Sequence, residues 1–198
     1  MKNKFVLFFL LFVAGITLLF FLLNRQLEAD YDLRKRTTVD QEKSFNRMNE
    51  YLNETLAHTS IQDIMIEDTQ SKACFLSDLV SQSPALVFRY SELNCNTCYK
   101  AELLSLQNIF AQEERQIAIL SSYSDSDHFI MYKDDNQIEL PFYRISQDAF
   151  DWILEDYGSP YYFVLHPDLT VSHIFVPDRT FPRLNKEYVE KVKQFLYD

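Results

Sequence analysis

Two of the three cysteines of this 198-residue chain stand together in the stretch Ser91-Glu92-Leu93-Asn94-Cys95-Asn96-Thr97-Cys98-Tyr99, separated by two residues. If a helix begins here, its free N–H groups and its dipole stabilise a thiolate on Cys95. Cys98 then lies nearly one turn later on the same face, close enough to form a short disulfide. That pairing suits thiol–disulfide exchange, with Cys95 as the nucleophile and Cys98 as the resolving thiol. The same spacing is also half of a zinc site, but the remaining ligand candidates, Cys74, His128, His166 and His173, show no ligand-pair spacing. A purely structural disulfide stays open, although closing so short a loop constrains the unfolded chain little. No metal and no cofactor is expected. Cys74 reads as a buried, inert thiol, with a regulatory thiol as the alternative.

The elements around the pair decide what it is for. Ala85–Tyr90 (ALVFRY), preceded by Pro84, is an apolar run of buried-strand length. Tyr99–Phe110 is helical in pattern, with Leu103, Leu106 and Phe110 on one face. A C-x-x-C between a strand and a helix is a redox signature. Further along, strands are predicted at 64–67, 74–76, 116–120, 142–145, 161–165 and 171–176, and helices at 127–134, 149–154 and 184–196. His166-Pro167-Asp168 marks a hairpin. Strands alternating with helices, then a terminal hairpin and helix, predict an α/β fold: a central mixed sheet flanked by helices.

From about Gln62 to Asp198 the chain resembles the thioredoxin superfamily, in particular its membrane-anchored TlpA-like and redoxin-type thiol-disulfide oxidoreductases. The resemblance rests on the opening hairpin ending in Phe75-Leu76-Ser77-Asp78-Leu79, on ALVFRY running into CNTC, and on Gly158-Ser159-Pro160 before a strand. It implies that Pro160 follows a cis bond and faces the cysteines. It also implies that Ser159 and Pro160 meet an extended substrate and that the partners are protein thiols and disulfides. The 62 positions from Cys98 to Pro160 leave room for the extra strand–helix unit of the TlpA-like branch. Three positions depart from the pattern. Asn94 stands where the family has Trp, and Arg89 where thioredoxins carry a buried acid. Ala101, followed by Glu102, stands where TlpA-like proteins often have Glu. Arg89 turned toward the site would favour the thiolate, and Glu92 and Glu102 would oppose it; Arg89 as a salt-bridged structural residue is the equal alternative.

Other chemistries fit less well. A Sco-like copper carrier, also tethered and thioredoxin-like, would need a histidine in the loop that here holds Gly158-Ser159-Pro160. A peroxiredoxin would need Pro and Thr where Phe88 and Glu92 stand. A redox-silent binding scaffold remains a competitor. With two glycines, Gly15 and Gly158, the chain holds no glycine-rich phosphate loop. Nineteen basic against 29 acidic residues argue against nucleic acid.

The beginning of the chain differs from the rest. Phe5–Leu23 is a 19-residue uncharged run behind Lys2 and Lys4, and as a helix it spans about 28 Å, near the thickness of a bilayer core. No convincing cleavage site follows, so residues 1–24 read as an uncleaved signal-anchor in the inner membrane. Arg25, Arg34, Lys35 and Arg36 favour a cytoplasmic C-terminal part by the positive-inside rule. The signal-like start favours export, and the expected placement of the soluble part is periplasmic. Residues 25–60 read as a helical stem whose stripe Phe45, Met48, Leu52 and Leu56 packs on the following domain or pairs with a second copy. Residues 61–198 form the thioredoxin-like domain. Without residues 1–23, 17 basic and 29 acidic residues remain, a net charge of −12.

Overall fold

The computed structural model describes residues 2–110, 116–156 and 158–197, with side chains at all of these except 2–19, 22, 29, 30 and 32. The elements are α1 (Lys2–Leu56), β1 (Met65–Asp68), β2 (Ala73–Phe75), α2 (Leu76–Leu79), β3 (Ala85–Ser91), α3 (Asn96–Phe110), β4 (Ile117–Ser122), α4 (Ser126–Asp135), β5 (Phe142–Ile145), α5 (Ile153–Asp156), β6 (Tyr161–Leu165), β7 (Val171–Phe175) and α6 (Pro182–Tyr197). Two compact units result, Met1–Arg47 and Met48–Asp198. In the first, Thr37 and Thr38 hydroxyls donate to the Leu33 and Arg34 carbonyls a turn earlier, each at 3.0 Å. Most of the run predicted to cross a membrane, residues 5–19 and 22, falls on side chains outside the described residues. Among the described residues no helix is long and apolar enough to cross one.

The second unit is built on a seven-stranded sheet in the order β2-β1-β5-β4-β3-β6-β7. β3, β4 and β5 run parallel, while β6 lies antiparallel to β3 and β7 antiparallel to β6. Every residue of β3 is buried, because a central strand covered on both faces has no solvent side; this is why ALVFRY is a continuous run and not an alternating one. One face carries Phe88, Tyr90 and Tyr162. Tyr90 stacks on Tyr99 of α3 at 4.3 Å between centroids, and Tyr162 meets Tyr188 of α6 at 5.6 Å. The other face presents Val87, Leu120, Tyr161 and Phe163 to Leu76, Phe150 and Leu154, around α2 and α5, and to Leu52.

Leu52 belongs to the last turns of α1, and Met48 and Leu56 pack on the same cluster. Three residues of the stem's apolar stripe are thus used within the domain, so self-association through them would require undoing its core. Polar residues on these turns do as much. Asn53 Oδ1 accepts from the Ile174 N–H at 2.7 Å and its Nδ2 donates to the Ile174 carbonyl. One turn earlier, Asn49 Oδ1 accepts from the Val176 N–H at 2.8 Å. Two carboxamides spaced by four residues therefore pair with the outer side of β7 and the residue after it. Replacing Asn53 by Leu is expected to cost about 2 kcal/mol by stranding both backbone groups of Ile174. The thermal midpoint, read by circular dichroism, should fall by about 4–8 °C.

Turn chemistry closes the hairpins. Asp68 Oδ1 accepts from the N–H groups of Gln70 and Lys72 at 2.8 and 3.0 Å, and Asp168 Oδ1 from that of Thr170 at 3.0 Å. α4 starts on Asp125, whose carboxylate accepts from Asp127 N–H at 2.7 Å.

Candidate active site

Strand direction gathers the site. The ends of β3, β4, β5 and β7 and the start of β6 all lie at one edge of the sheet, as the pairs Arg89↔Tyr161 and Tyr162↔Phe175 show. Residues 92–95, 123–125, 146–152, 158–160 and 176–181 therefore share that edge, where ligand sites of open α/β sheets form.

The loop into α3 is a tight turn. Asn94 N–H donates to the Ser91 carbonyl at 2.9 Å, and Asn94 Oδ1 accepts from the Ser91 N–H at 2.7 Å. Asn94 thus closes the turn with both its backbone and its side chain. Cys95 immediately precedes α3, and its carbonyl accepts from the N–H groups of Cys98 and Tyr99 at 2.9 and 3.3 Å. It therefore occupies the capping position, where free N–H groups point at its side chain. Cys95 is exposed, Cys98 half-buried, and both are free thiols.

Their protonation is pulled apart. A hydrogen bond from Cys98, the Thr97 hydroxyl at 3.2 Å, the Cys98 N–H and the charge of Arg179 bring the Cys95 thiol down to about 7. Burial, followed by the neighbouring Cys95, pushes Cys98 up. The result is an accessible nucleophile beside a protonated reserve thiol. Burial, followed by the charges of Asp78 and Asp68, also raises Cys74, half-buried in β2.

The residues expected to tune Cys95 are engaged elsewhere. Arg89, 1% exposed, faces the opposite side of the sheet from α3. It donates Nε and Nη2 to Glu155 at 2.9 Å each, and Tyr161 hydroxyl adds a 2.6 Å bond to the same carboxylate. Its charge is consumed there, because a buried guanidinium needs a carboxylate. Glu92 caps the next loop, accepting from Ser124 N–H at 2.6 Å. Glu102 is buried under α3 between Tyr162 hydroxyl at 2.7 Å and Asn185 Nδ2 at 2.8 Å, and burial raises its carboxyl. Arg179 was missed by sequence reasoning, because only the shared direction of β3 and β7 brings its loop to this edge.

Pro160 is buried at the start of β6, and its preceding bond is trans: no cis peptide occurs among the described residues. The expected cis bond is thus corrected. The reversal is made one step earlier by Gly158, at φ +60°, whose N–H donates to the Glu155 carbonyl at 3.3 Å. The trans form is the ordinary preference of an X–Pro bond. Ser159 lines a cleft of about 220 Å³ together with Leu93, Asn94 and Gln147, above the Arg89–Glu155 pair. His166 and Ser172 bond to each other at 2.7 Å near the opposite edge. Among the described residues no three of Cys, His, Asp and Glu are grouped to hold a metal ion.

No protein-family model and no curated protein matches the chain. Solved structures do. A thiol:disulfide interchange protein from Bacteroides sp. superposes with a TM-score of 0.54 at 15% identity, covering 72% of this chain and 91% of its own. The thioredoxin domain of a thiol-disulfide oxidoreductase from Bacteroides vulgatus gives 0.53 at 14% identity, covering 71% and 97%. The fold is thioredoxin-like.

Proposed function

We propose that the protein is a membrane-anchored thiol–disulfide oxidoreductase acting on protein partners outside the cytoplasm, as a reductant. The observation that carries this reading is the exposed Cys95 thiol, brought to about 7 at the start of a helix with Cys98 one turn behind it. The uncharged run Phe5–Leu23 behind two lysines supports the anchor.

In the reductive direction, the Cys95 thiolate attacks one sulfur of a partner disulfide. A Cys95–partner bond forms, the partner S–S bond breaks, and its second sulfur leaves as a thiolate. That thiolate, or water, takes the proton of Cys98. The Cys98 thiolate then attacks Cys95 Sγ and expels the first partner sulfur. The expelled sulfur takes its proton from water, so the partner gains two electrons from the pair and ends as two thiols, and the Cys95–Cys98 pair is left as a disulfide. The raised Cys98 thiol keeps this second step in reserve until a leaving thiolate accepts its proton. Ser159, lining the cleft beside Asn94, offers backbone groups to an extended partner segment.

The test is covalent capture. Cys98→Ser expressed in cells is expected to accumulate mixed disulfides, visible on non-reducing gels and named by mass spectrometry, that vanish when Cys95 is also replaced by Ser. If no adduct forms while Cys95 remains alkylatable, the proposal is wrong.

A further inference from the structure

We infer that the loop of Arg179 brings a cation to the dithiol edge of the sheet, held there by a buried hydrogen-bond chain through Asp178, Asn185 and Glu102. The loop that carries it leaves β7 in the same direction as the cysteine loop leaves β3, and so reaches the same edge of the sheet. There it is pinned. Asp178 N–H donates to Asn185 Oδ1 at 3.2 Å, and Asn185 Nδ2 donates to the Asp178 carbonyl at 3.0 Å and to Glu102 Oε1 at 2.8 Å. Glu102 Oε2 is closed off by the Tyr162 hydroxyl at 2.7 Å. Asn185 is 2% exposed and Glu102 7% exposed, so this is an interior strut and not a surface contact.

Glu102 stands four residues after Cys98 on α3, one helical turn below the dithiol. The arginine loop and both sulfurs are thereby referred to the same helix. The loop itself is closed: Asp178 Oδ1 accepts from Thr180 N–H at 2.7 Å, and Phe181 N–H donates to the Asp178 carbonyl at 2.9 Å. Arg179 lies between these two bonds, and its side chain is exposed. Its charge favours the thiolate at both Cys95 and Cys98, by less than the hydrogen bonds to Cys95. The other groups that face Cys95 are Cys98 and Thr97 from α3, while the Tyr99 phenol senses both Cys95 and Glu92. In a chain with 29 acidic and 19 basic residues the background field opposes a thiolate, and the charge of Arg179 counters it at this edge. Glu102 and Asn185 thus act through Arg179, as positioning residues.

The inference rests on Cys95 being the reacting thiol, but its test needs no partner. Site-resolved alkylation rates of the reduced full chain are measured by mass spectrometry across pH. Arg179→Ala is expected to lower the thiolate fraction of Cys95 at pH 7 about twofold, the scale of an exposed charge pair. Arg179→Lys should restore most of it, and the gap should narrow in about 1 M salt. Asn185→Ala, which keeps the arginine, should shift the profile in the same direction. An unchanged profile in a folded Arg179→Ala protein overturns the role of the cation. A shift in Arg179→Ala with none in a folded Asn185→Ala protein overturns the strut. Failure of covalent capture through Cys95, with these shifts intact, would remove the oxidoreductase reading and leave this inference standing.

Discussion

At pH 7 iodoacetamide is expected to modify Cys95 more than tenfold faster than Cys98 or Cys74. An ordinary thiol titrating at 9.0 is about 1% thiolate at that pH, whereas Cys95, titrating at about 7, is about half ionised. Nucleophilicity falls with basicity, which returns a factor of about eight and leaves roughly a sixfold advantage from titration alone. Exposure supplies the rest, since Cys98 and Cys74 are both half-buried and both raised by burial. The sign of the pH profile follows. Reactivity rises about tenfold per unit below pH 6, bends near 7 and is flat above 8. Cys98→Ala removes the leading hydrogen bond to Cys95 and should move the bend upward. A Cys95 profile still climbing steeply at pH 8.5 would show an ordinary thiol and sink the proposed nucleophile.

The largest loss of stability is expected from Glu155→Ala. Arg89 is 1% exposed and Glu155 20% exposed at the side chain, and they are joined by two bonds of 2.9 Å. Deleting the acid leaves a buried guanidinium unpaired and takes an acceptor from the Tyr161 hydroxyl. The cost is about 3 kcal/mol, the low end for a broken buried pair because Glu155 keeps some solvent. For a unit of this size that lowers the thermal midpoint by about 6–12 °C. Arg89→Met combined with Glu155→Leu should recover most of the loss, since a buried pair is worth little against apolar atoms of similar volume. A Glu155→Ala protein melting within about 2 °C of the wild type would mean that the guanidinium finds another partner or water.

Much of this molecule is legible along the chain. The burial of β3 follows from six consecutive residues, ALVFRY, and the hairpins from Asp68 and Asp168, because those features depend on near neighbours. What distance conceals is different. The partner of Arg89 stands 66 residues away, so the sequence left open whether its charge faced the cysteines or a counter-ion. Arg179 follows Cys95 by 84 positions and joins it only through the strand order that puts β7 and β3 in the same direction. Nothing in the local sequence marks Asn49 and Asn53, since a solvated carboxamide and one that takes the place of a neighbouring strand look alike there. Pro160 carried its expected cis form on resemblance alone, and no neighbouring residue in the sequence bears on the isomer.

Those two carboxamides have a consequence for solubility at high local density. An open sheet border invites another chain to zip onto it, and runaway stacking of copies begins at such borders. Here the Ile174 and Val176 amides are already engaged by the protein's own asparagines. The opposite border, β2, is only three residues long, a poor template for fibrillar growth. Replacing Asn49 and Asn53 together would therefore do more than loosen the fold, because it would uncover the longer border and make the folded protein prone to self-assembly.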